Sequence, residues 1–249
     1  MKITLLQRDI LWGDAEGNAL RREEALSTQA GADLYVLPEM WSTGFVTDPA
    51  PYAEDAPGAA LDCMKSLSAK TGAAIAGSVA VRENGEFRNR FYFVKPDGSV
   101  LHYDKHHLFT YGGEHRRYTA GNEKVIVEWR GVRFRLIVCY DLRFPAWCRN
   151  SGDYDVLLCV ASWPDVRTEA WKALLKARAI ENQSYVVAVN RVGNDPSNRY
   201  TGASMALDAW GREVAACTEG EECSSTVELD MNALEAFRKS FPVLEDRDC

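Results

Sequence analysis

Four stretches constrain the fold more than anything else in the chain. ADLYVLPE (32–39), RLIVCY (135–140), DVLLCVASW (155–163) and YVVAVN (185–190) are near-continuous apolar runs rich in Val, Leu and Ile. Strands of this kind are covered by protein on both faces, whereas a strand with one wet face alternates polar and apolar residues. RFYFVKP (90–96) and SVLHYDK (99–105) are mixed, and Asp97-Gly98 between them is a hairpin signal. Further strands are expected at KITLLQ, AAIAGSVAV, KVIVEWRG, GASMALD, REVAACT and STVELD. Helices are expected at 15–31, 58–71, 167–182 and 231–239. In the third, Trp171, Leu174, Leu175, Arg178 and Ala179 fall on one side at helical spacing. Gly13-Asp14 precedes the first helix, Pro57-Gly58 opens the second, and Thr168 is the expected N-cap of the third. Helices alternating with doubly buried strands, plus hairpins, predict a layered α/β domain.

No low-complexity segment or long linker interrupts the 249 residues, and 1–249 reads as a single domain. ADLYVLPEMWSTGF and RFRLIVCYDLRFP echo each other: each runs from a buried strand into a charged or nucleophilic residue and then an aromatic. Two α/β halves in one domain fit that echo. The net charge of -7 argues against non-specific binding to nucleic acid or to an anionic membrane surface. No apolar run approaches the roughly 18 residues of a membrane span. The opening MKITLLQRDILWGD meets Arg8 and Asp9 too soon for a signal peptide. Seven widely spaced cysteines, an odd number with no CxxC pair, read as reduced thiols in a cytoplasmic protein.

Ligands of open α/β sheets sit beyond the carboxyl ends of the strands. Glu39, Lys105 and Cys139 each follow such a strand, 66 and 34 residues apart, so only folding brings them together. A thiol with a pKa near ~8.5 is mostly protonated at neutral pH, and a carboxylate beside it acts as its general base. An ammonium stabilises both thiolate and oxyanion, and the peptide N–H of Tyr140 offers a second oxyanion donor. Taken singly, each residue has a plainer meaning. Glu39 suits a solvated or paired strand-end carboxylate, Lys105 a surface lysine, and Cys139 a small core residue of the kind expected at Cys159, Cys63 and Cys217. Cys223 and Cys249 read as peripheral.

VLPEMWSTGF, YDKHHLFTYGGEHRRYTAGN and LIVCYDLRFP, in that order, resemble the three signature blocks of the nitrilase (carbon–nitrogen hydrolase) superfamily. SWPDVRTEAWKALLKARAIENQSYVVAVNRVG and GASMALDAWGREVA extend the likeness to about Asp230. The resemblance implies a four-layer αββα sandwich of two mixed sheets flanked by helices. It also implies Glu39 as general base, Lys105 as oxyanion stabiliser, Cys139 as nucleophile and Glu114 as a second glutamate orienting Lys105. Glu114 otherwise reads as a solvated loop carboxylate. Neither metal nor organic cofactor is implied. The blocks are most similar to the omega-amidase branch, whose substrates are small 2-oxo acid amides. Such a substrate carries a remote carboxylate, which an arginine binds bidentately. Arg143 is the candidate, with Phe45, Tyr111 and Trp163 lining the pocket; the alternative is a structural ion pair of Arg143 with Asp141. Other C–N hydrolase substrates, N-carbamoyl compounds or aliphatic amides, are the alternative within the family. The family resemblance further implies at least a homodimer, and 231–249 has an apolar face that suits such a contact.

Two other classes compete. His102, His106, His107 and His115 fall within fourteen residues, and His102-x3-His106 has the spacing of a helical metal pair. The mixed run places them on strand and loop, however, and the HExxH glutamate is absent. A non-catalytic binding protein of the same fold is the other possibility, because fold alone does not imply function.

Overall fold

The computed structural model describes residues 1–27 and 31–247. The first sheet holds β1 (Lys2–Gln7), β2 (Leu34–Val36), β3 (Glu54–Asp55), β4 (Ala74–Glu83), β5 (Glu86–Val94) and β6 (Val100–Asp104). The second holds β7 (Ile126–Trp129), β8 (Val132–Val138), β9 (Val156–Ala161) and β10 (Tyr185–Asn190). A small hairpin follows, β11 (Val192–Asn194) and β12 (Arg199–Thr201). Then β13 (Met205–Leu207) and β14 (Glu213–Ala216) complete the second sheet, and β15 (Cys223–Glu228) returns to the first. The helices are α1 (Ala15–Ser27), α2 (Ala59–Thr71), α3 (Pro145–Cys148), α4 (Thr168–Glu181) and α5 (Met231–Ser240).

Side-chain parity along the buried strands builds the layers. Leu34 and Val36 of β2, and Leu158 and Val160 of β9, point between the sheets into one core with Phe91, Phe93, Phe134 and Leu136. Their neighbours Tyr35, Leu157 and Cys159 point outward. Tyr35 packs under Leu61, Met64 and Leu67 of α2. Leu157 and Cys159 pack under Trp171, Leu175 and Ala179 of α4. Every residue of β2, β9 and β10 is buried, which is why these runs lack alternation. The result is the four-layer α–β–β–α sandwich.

The two sheets repeat one pairing scheme. The strand order β15-β1-β2-β4-β5-β6 matches β7-β8-β9-β10-β13-β14. In both, an antiparallel strand flanks three parallel strands, and two antiparallel strands follow. α1 and α2 connect β1, β2 and β4; α3 and α4 connect β8, β9 and β10. The echo seen in the sequence is therefore displaced by one strand. It set β2 beside β8, whereas β2 occupies the place of β9.

Several boundaries differ from expectation. Helix α1 ends at Ser27, Gly31 lies outside the helix at φ +85°, and 28–30 fall outside the described residues. Thr168 does not cap α4 but is its first residue, after Arg167. Its hydroxyl meets that of Thr201 at 3.3 Å instead. The two-residue strand β3 is too short to carry alternation and arises from pairing with β4, and β12, three residues long, forms only as the second arm of its local hairpin with β11. At α5, Asp230 is the N-cap and accepts from Ala233 N at 3.0 Å. Part of this segment's apolar face serves its own subunit: Leu234 is buried in the main core, and Met231 and Phe237 pack against it.

Candidate active site

Glu39 leaves β2 on a tight loop pressed against β4. Met40 N donates to Ser78 Oγ at 2.9 Å and Trp41 N to Ser78 O at 3.1 Å. The loop can lie this close because Gly77 has no side chain; a Cβ there would stand 2.8 Å from Leu37 Cβ. Lys105 continues β6, its N–H donating to Asn89 O at 3.0 Å. Gly121 passes beside it, donating to Lys105 O at 3.0 Å, where a Cβ would collide with the Asp104 carbonyl. Cys139 sits where β8 turns into a short 3-10 turn, with φ +46°. A non-glycine residue in this left-handed region is strained, and such strain concentrates at functional positions.

Folding brings Glu39, Lys105 and Glu114 into one fully buried cluster. Lys105 Nζ donates to Glu39 Oε1 at 2.9 Å and to Glu114 Oε2 at 2.9 Å and Oε1 at 3.1 Å. Glu39 Oε1 also accepts from Asn89 Nδ2 at 2.8 Å, and its Oε2 from Ser162 N at 2.7 Å. Glu114 Oε2 accepts from Phe109 N at 2.6 Å, and its Oε1 from Asn89 Nδ2 at 3.3 Å. The surface readings of Glu39, Lys105 and Glu114 are thereby excluded. Burial alone acts against the Lys105 ammonium, but Glu114, Glu39 and Cys139 together hold its pKa well above the usual lysine range. Burial raises the Glu114 carboxyl, with Lys105 pulling against it and Glu39 adding to it. The Cys139 thiol is pushed well above its ordinary value, by burial first and by Glu39 second, against the pull of Lys105.

A cavity of about 350 Å³ opens onto Cys139 and Lys105. Phe45, Tyr140, Arg143 and Trp163 line it, as does Tyr111, which stands at the mouth with 87% of its surface exposed. The Tyr140 N–H lies in the first turn of the 3-10 segment, where backbone donors lack intrahelical acceptors. Arg143 Cζ lies 4.7 Å from the centre of the Trp163 ring. The ion pair of Arg143 with Asp141 does not form. The buried Asp141 accepts instead from Val138 N (3.0 Å), Tyr103 Oη (2.7 Å) and His107 N (2.8 Å), and faces His107 Nδ1 at 2.9 Å.

His106 and His107 lie edge to face, with ring centres 4.5 Å apart, and each is engaged elsewhere. His106 stacks on Trp147 and its Nδ1 meets Gly121 O at 2.6 Å; His107 stacks on Phe144. His102 lies in β6 against Tyr92, and His115 is exposed. Among the described residues no group of three His, Cys, Asp or Glu side chains is placed to hold a metal ion. Cys159 and Cys217 are buried, Cys63 and Cys223 partly so, and Cys249 lies outside the described residues.

Three residues at the site had not been singled out. Asn89 was legible in principle: it shares the inward face of β5 with Phe91 and Phe93, where a polar side chain needs a buried partner. The Ser162 N–H is a backbone group with no signature. Arg167 enters the cavity from the turn before α4, with Cζ 5.5 Å from the Phe109 ring centre, and nothing local in the sequence marks it.

A model of the carbon-nitrogen hydrolase family matches residues 2–239. The chain is 45% identical to omega-amidase YafV of Yersinia enterocolitica, with 100% of this chain and 97% of that protein covered. It is 38% identical to 2-oxoglutaramate amidase of Bacillus subtilis, over 98% and 96% of the two chains. Among solved structures, a CN-hydrolase superfamily protein of Xanthomonas campestris with an arsenic adduct in its active site superposes with a TM-score of 0.97. It is 41% identical, with 100% of this chain and 97% of that one covered.

Proposed function

The chain belongs to the carbon–nitrogen hydrolase family and hydrolyses C–N bonds of amides. From that premise we propose that it cleaves the terminal amide of small 2-oxo acid amides, 2-oxoglutaramate and 2-oxosuccinamate, through a thioester on Cys139. The observation that carries this reading is a thiol facing a small cavity in front of a buried lysine held by two glutamates. At about 350 Å³ the cavity stands at the low end of the roughly 300–1,000 Å³ typical of ligand sites, which suits a short substrate.

The steps follow from the charges. Glu39 takes the thiol proton as sulfur bonds to the amide carbon. Lys105 and the Tyr140 N–H hold the resulting oxyanion. Protonation of Glu39 loosens its hold on Lys105, so an ammonium N–H previously directed at Glu39 turns to the oxyanion. Glu114, paired with the same ammonium, keeps it in place meanwhile. The C–N bond then breaks, the Glu39 proton passes to nitrogen, and ammonia leaves. Water attacks the thioester, giving its proton to Glu39, and the carbon–sulfur bond breaks. Proton return restores the thiol and releases the 2-oxo dicarboxylate. Arg143 anchors the remote carboxylate.

The test is ammonia release from a panel of 2-oxoglutaramate, 2-oxosuccinamate, glutamine, asparagine, N-carbamoyl amines, aliphatic amides and nitriles. Preference for the 2-oxo amides is expected; no turnover of either would remove the substrate assignment. No helix among the described residues is long and apolar enough to cross a membrane. We also propose that the enzyme works in the cytoplasm, as at least a homodimer; its unpaired thiols support the first.

A further inference from the structure

Two guanidiniums share the cavity with Cys139, and the protein neutralises neither. Arg143 rests over Trp163 and Arg167 over Phe109. Among the described residues neither side chain forms an ion pair or a hydrogen bond through its guanidinium, and Asp141 is engaged elsewhere. The one acid among the residues lining the cavity, Asp195, is also engaged. Its Oδ1 accepts from Ser197 N at 2.7 Å and Asn198 N at 2.6 Å, and its Oδ2 from Tyr200 Oη at 2.5 Å. Both arginines are held in position nonetheless. The aromatic faces beneath them restrict the planar groups. Trp163 Nε1 donates to Arg167 O at 2.8 Å, and Phe109 is braced edge-on by Tyr140 at 5.1 Å. Two unneutralised cations fixed beside one small cavity are stabilised by an anion entering between them.

The chemistry of the pair narrows what enters. A guanidinium carries five N–H donors and no acceptor. The part of a ligand that meets two of them is therefore built of acceptors alone. A carboxylate with an adjacent oxo group meets this condition, because its oxygens lie near one plane and suit forked donors. An α-ammonium group fails it, bringing three donors and a positive charge toward two cations. We propose that Arg167 is a specificity-determining residue that closes, with Arg143, a donor-only clamp on the 2-oxo acid end of the substrate. The clamp admits 2-oxo acids and rejects the matching α-amino acids.

The proposal deepens the amidase reading, and rests on it only for where the scissile end lies. Its test is therefore a binding measurement that needs no turnover. Calorimetric titration of the folded protein with 2-oxoglutarate and with glutamate is compared for wild type, Arg167→Gln and Arg167→Lys, thermal denaturation confirming folding. Wild type is expected to prefer 2-oxoglutarate by about tenfold or more. Arg167→Gln is expected to weaken 2-oxoglutarate by a similar factor and narrow its preference over glutamate. Arg167→Lys, which keeps the charge without the planar fork, is expected to fall between. In turnover, the Arg167→Gln loss is expected mainly in KM, and to be larger for carboxylate-bearing amides than for neutral ones. Equal binding of the two acids by wild type, no binding of 2-oxoglutarate, or an unchanged preference in Arg167→Gln would overturn the clamp. Selective binding without hydrolysis of any 2-oxo amide would sink the proposed substrate and leave the clamp standing.

Discussion

At the scale of single residues, one buried ammonium faces two buried carboxylates and a thiol. Removing Lys105 leaves Glu39 and Glu114 side by side without a counter-charge. Breaking one partner of a buried ion pair destabilises by about 3–5 kcal/mol. Lys105→Ala is therefore expected to lose both turnover and stability, read as ammonia release and denaturation midpoint. Cys139→Ala should abolish turnover, and Glu39→Gln should fall nearly as far, because residues that act as a unit do not lose activity additively. Substantial hydrolysis by Cys139→Ala would contradict the nucleophile assignment. The thiol itself makes a pH-dependent prediction. Burial and Glu39 both disfavour the thiolate, so its pKa moves up, and a neutral thiol is the expected resting form at neutral pH. The ultraviolet thiolate absorbance of wild type minus Cys139→Ser is expected to be absent at pH 7 and to emerge only as pH rises into the alkaline range. A thiolate signal already present near neutrality would mean that an ion pair, not base catalysis by Glu39, activates the sulfur.

At the scale of elements, Asp141 joins the segments that hold Lys105 and Cys139. It lies two residues past Cys139 and bonds His107, two residues past Lys105. Through Tyr103, which also accepts from His106 N and Trp147 Nε1, it reaches β6 and α3. Asp141→Asn keeps the shape but replaces one acceptor oxygen by a donor, facing either Tyr103 Oη and Val138 N or the two His107 groups. The expected loss is about 1–3 kcal/mol of stability, and a fall in kcat with KM little changed, measured by urea denaturation and steady-state kinetics. Unchanged kcat would show that the network holds the fold without setting the distance between Lys105 and Cys139. What was legible in sequence divides at this scale. Doubly buried strands announce themselves because both faces must be apolar, and the ends of two of them located Glu39 and Cys139, whereas Lys105 was located by the end of the mixed hairpin strand SVLHYDK. Asn89, Ser162 and Arg167 were not found because each acts through a partner far away in sequence: Glu39 for the first two, Phe109 for the third. The boundary at Thr168 was missed for a related reason, its hydroxyl being turned to Thr201 by tertiary structure rather than back to its own helix.

At the scale of the molecule, two halves of matching topology carry one thiol site. Glu39 and Lys105 come from the first sheet and Cys139 from the second, so the site exists only when the sandwich closes. In the repeated scheme Cys139 ends β8, and the matching end of β1 presents Gln7 and Arg8, which take up backbone groups near β15. Gln7 Nε2 donates to Thr218 O at 2.7 Å and Glu221 O at 2.9 Å, and its Oε1 accepts from Ser204 N at 3.0 Å. The matching end is thus filled by structural hydrogen bonds. The outer side of the second sheet bears on assembly. Ile180 of α4 lies beside the Trp210-Gly211 turn, where a Cβ on Gly211 would meet Ile180 Cδ1 at 2.8 Å. Trp210 packs against Phe237 at a tilt, with ring centres 4.1 Å apart, and Phe237 in turn against Phe241 at 6.3 Å. Ile180, Trp210 and Phe241 are 47%, 53% and 53% exposed. Large apolar side chains left in water side by side suit a contact surface, and in the homodimer proposed above that surface would pack against its own copy about a two-fold axis. Light scattering after gel filtration is expected to return twice the chain mass. Trp210→Glu would then place like charges across the axis and shift the species toward monomer on dilution, with amidase turnover per chain as a control on folding. A wild-type monomer at working concentration would contradict the dimer, whereas an undisturbed Trp210→Glu dimer would move the contact to another face.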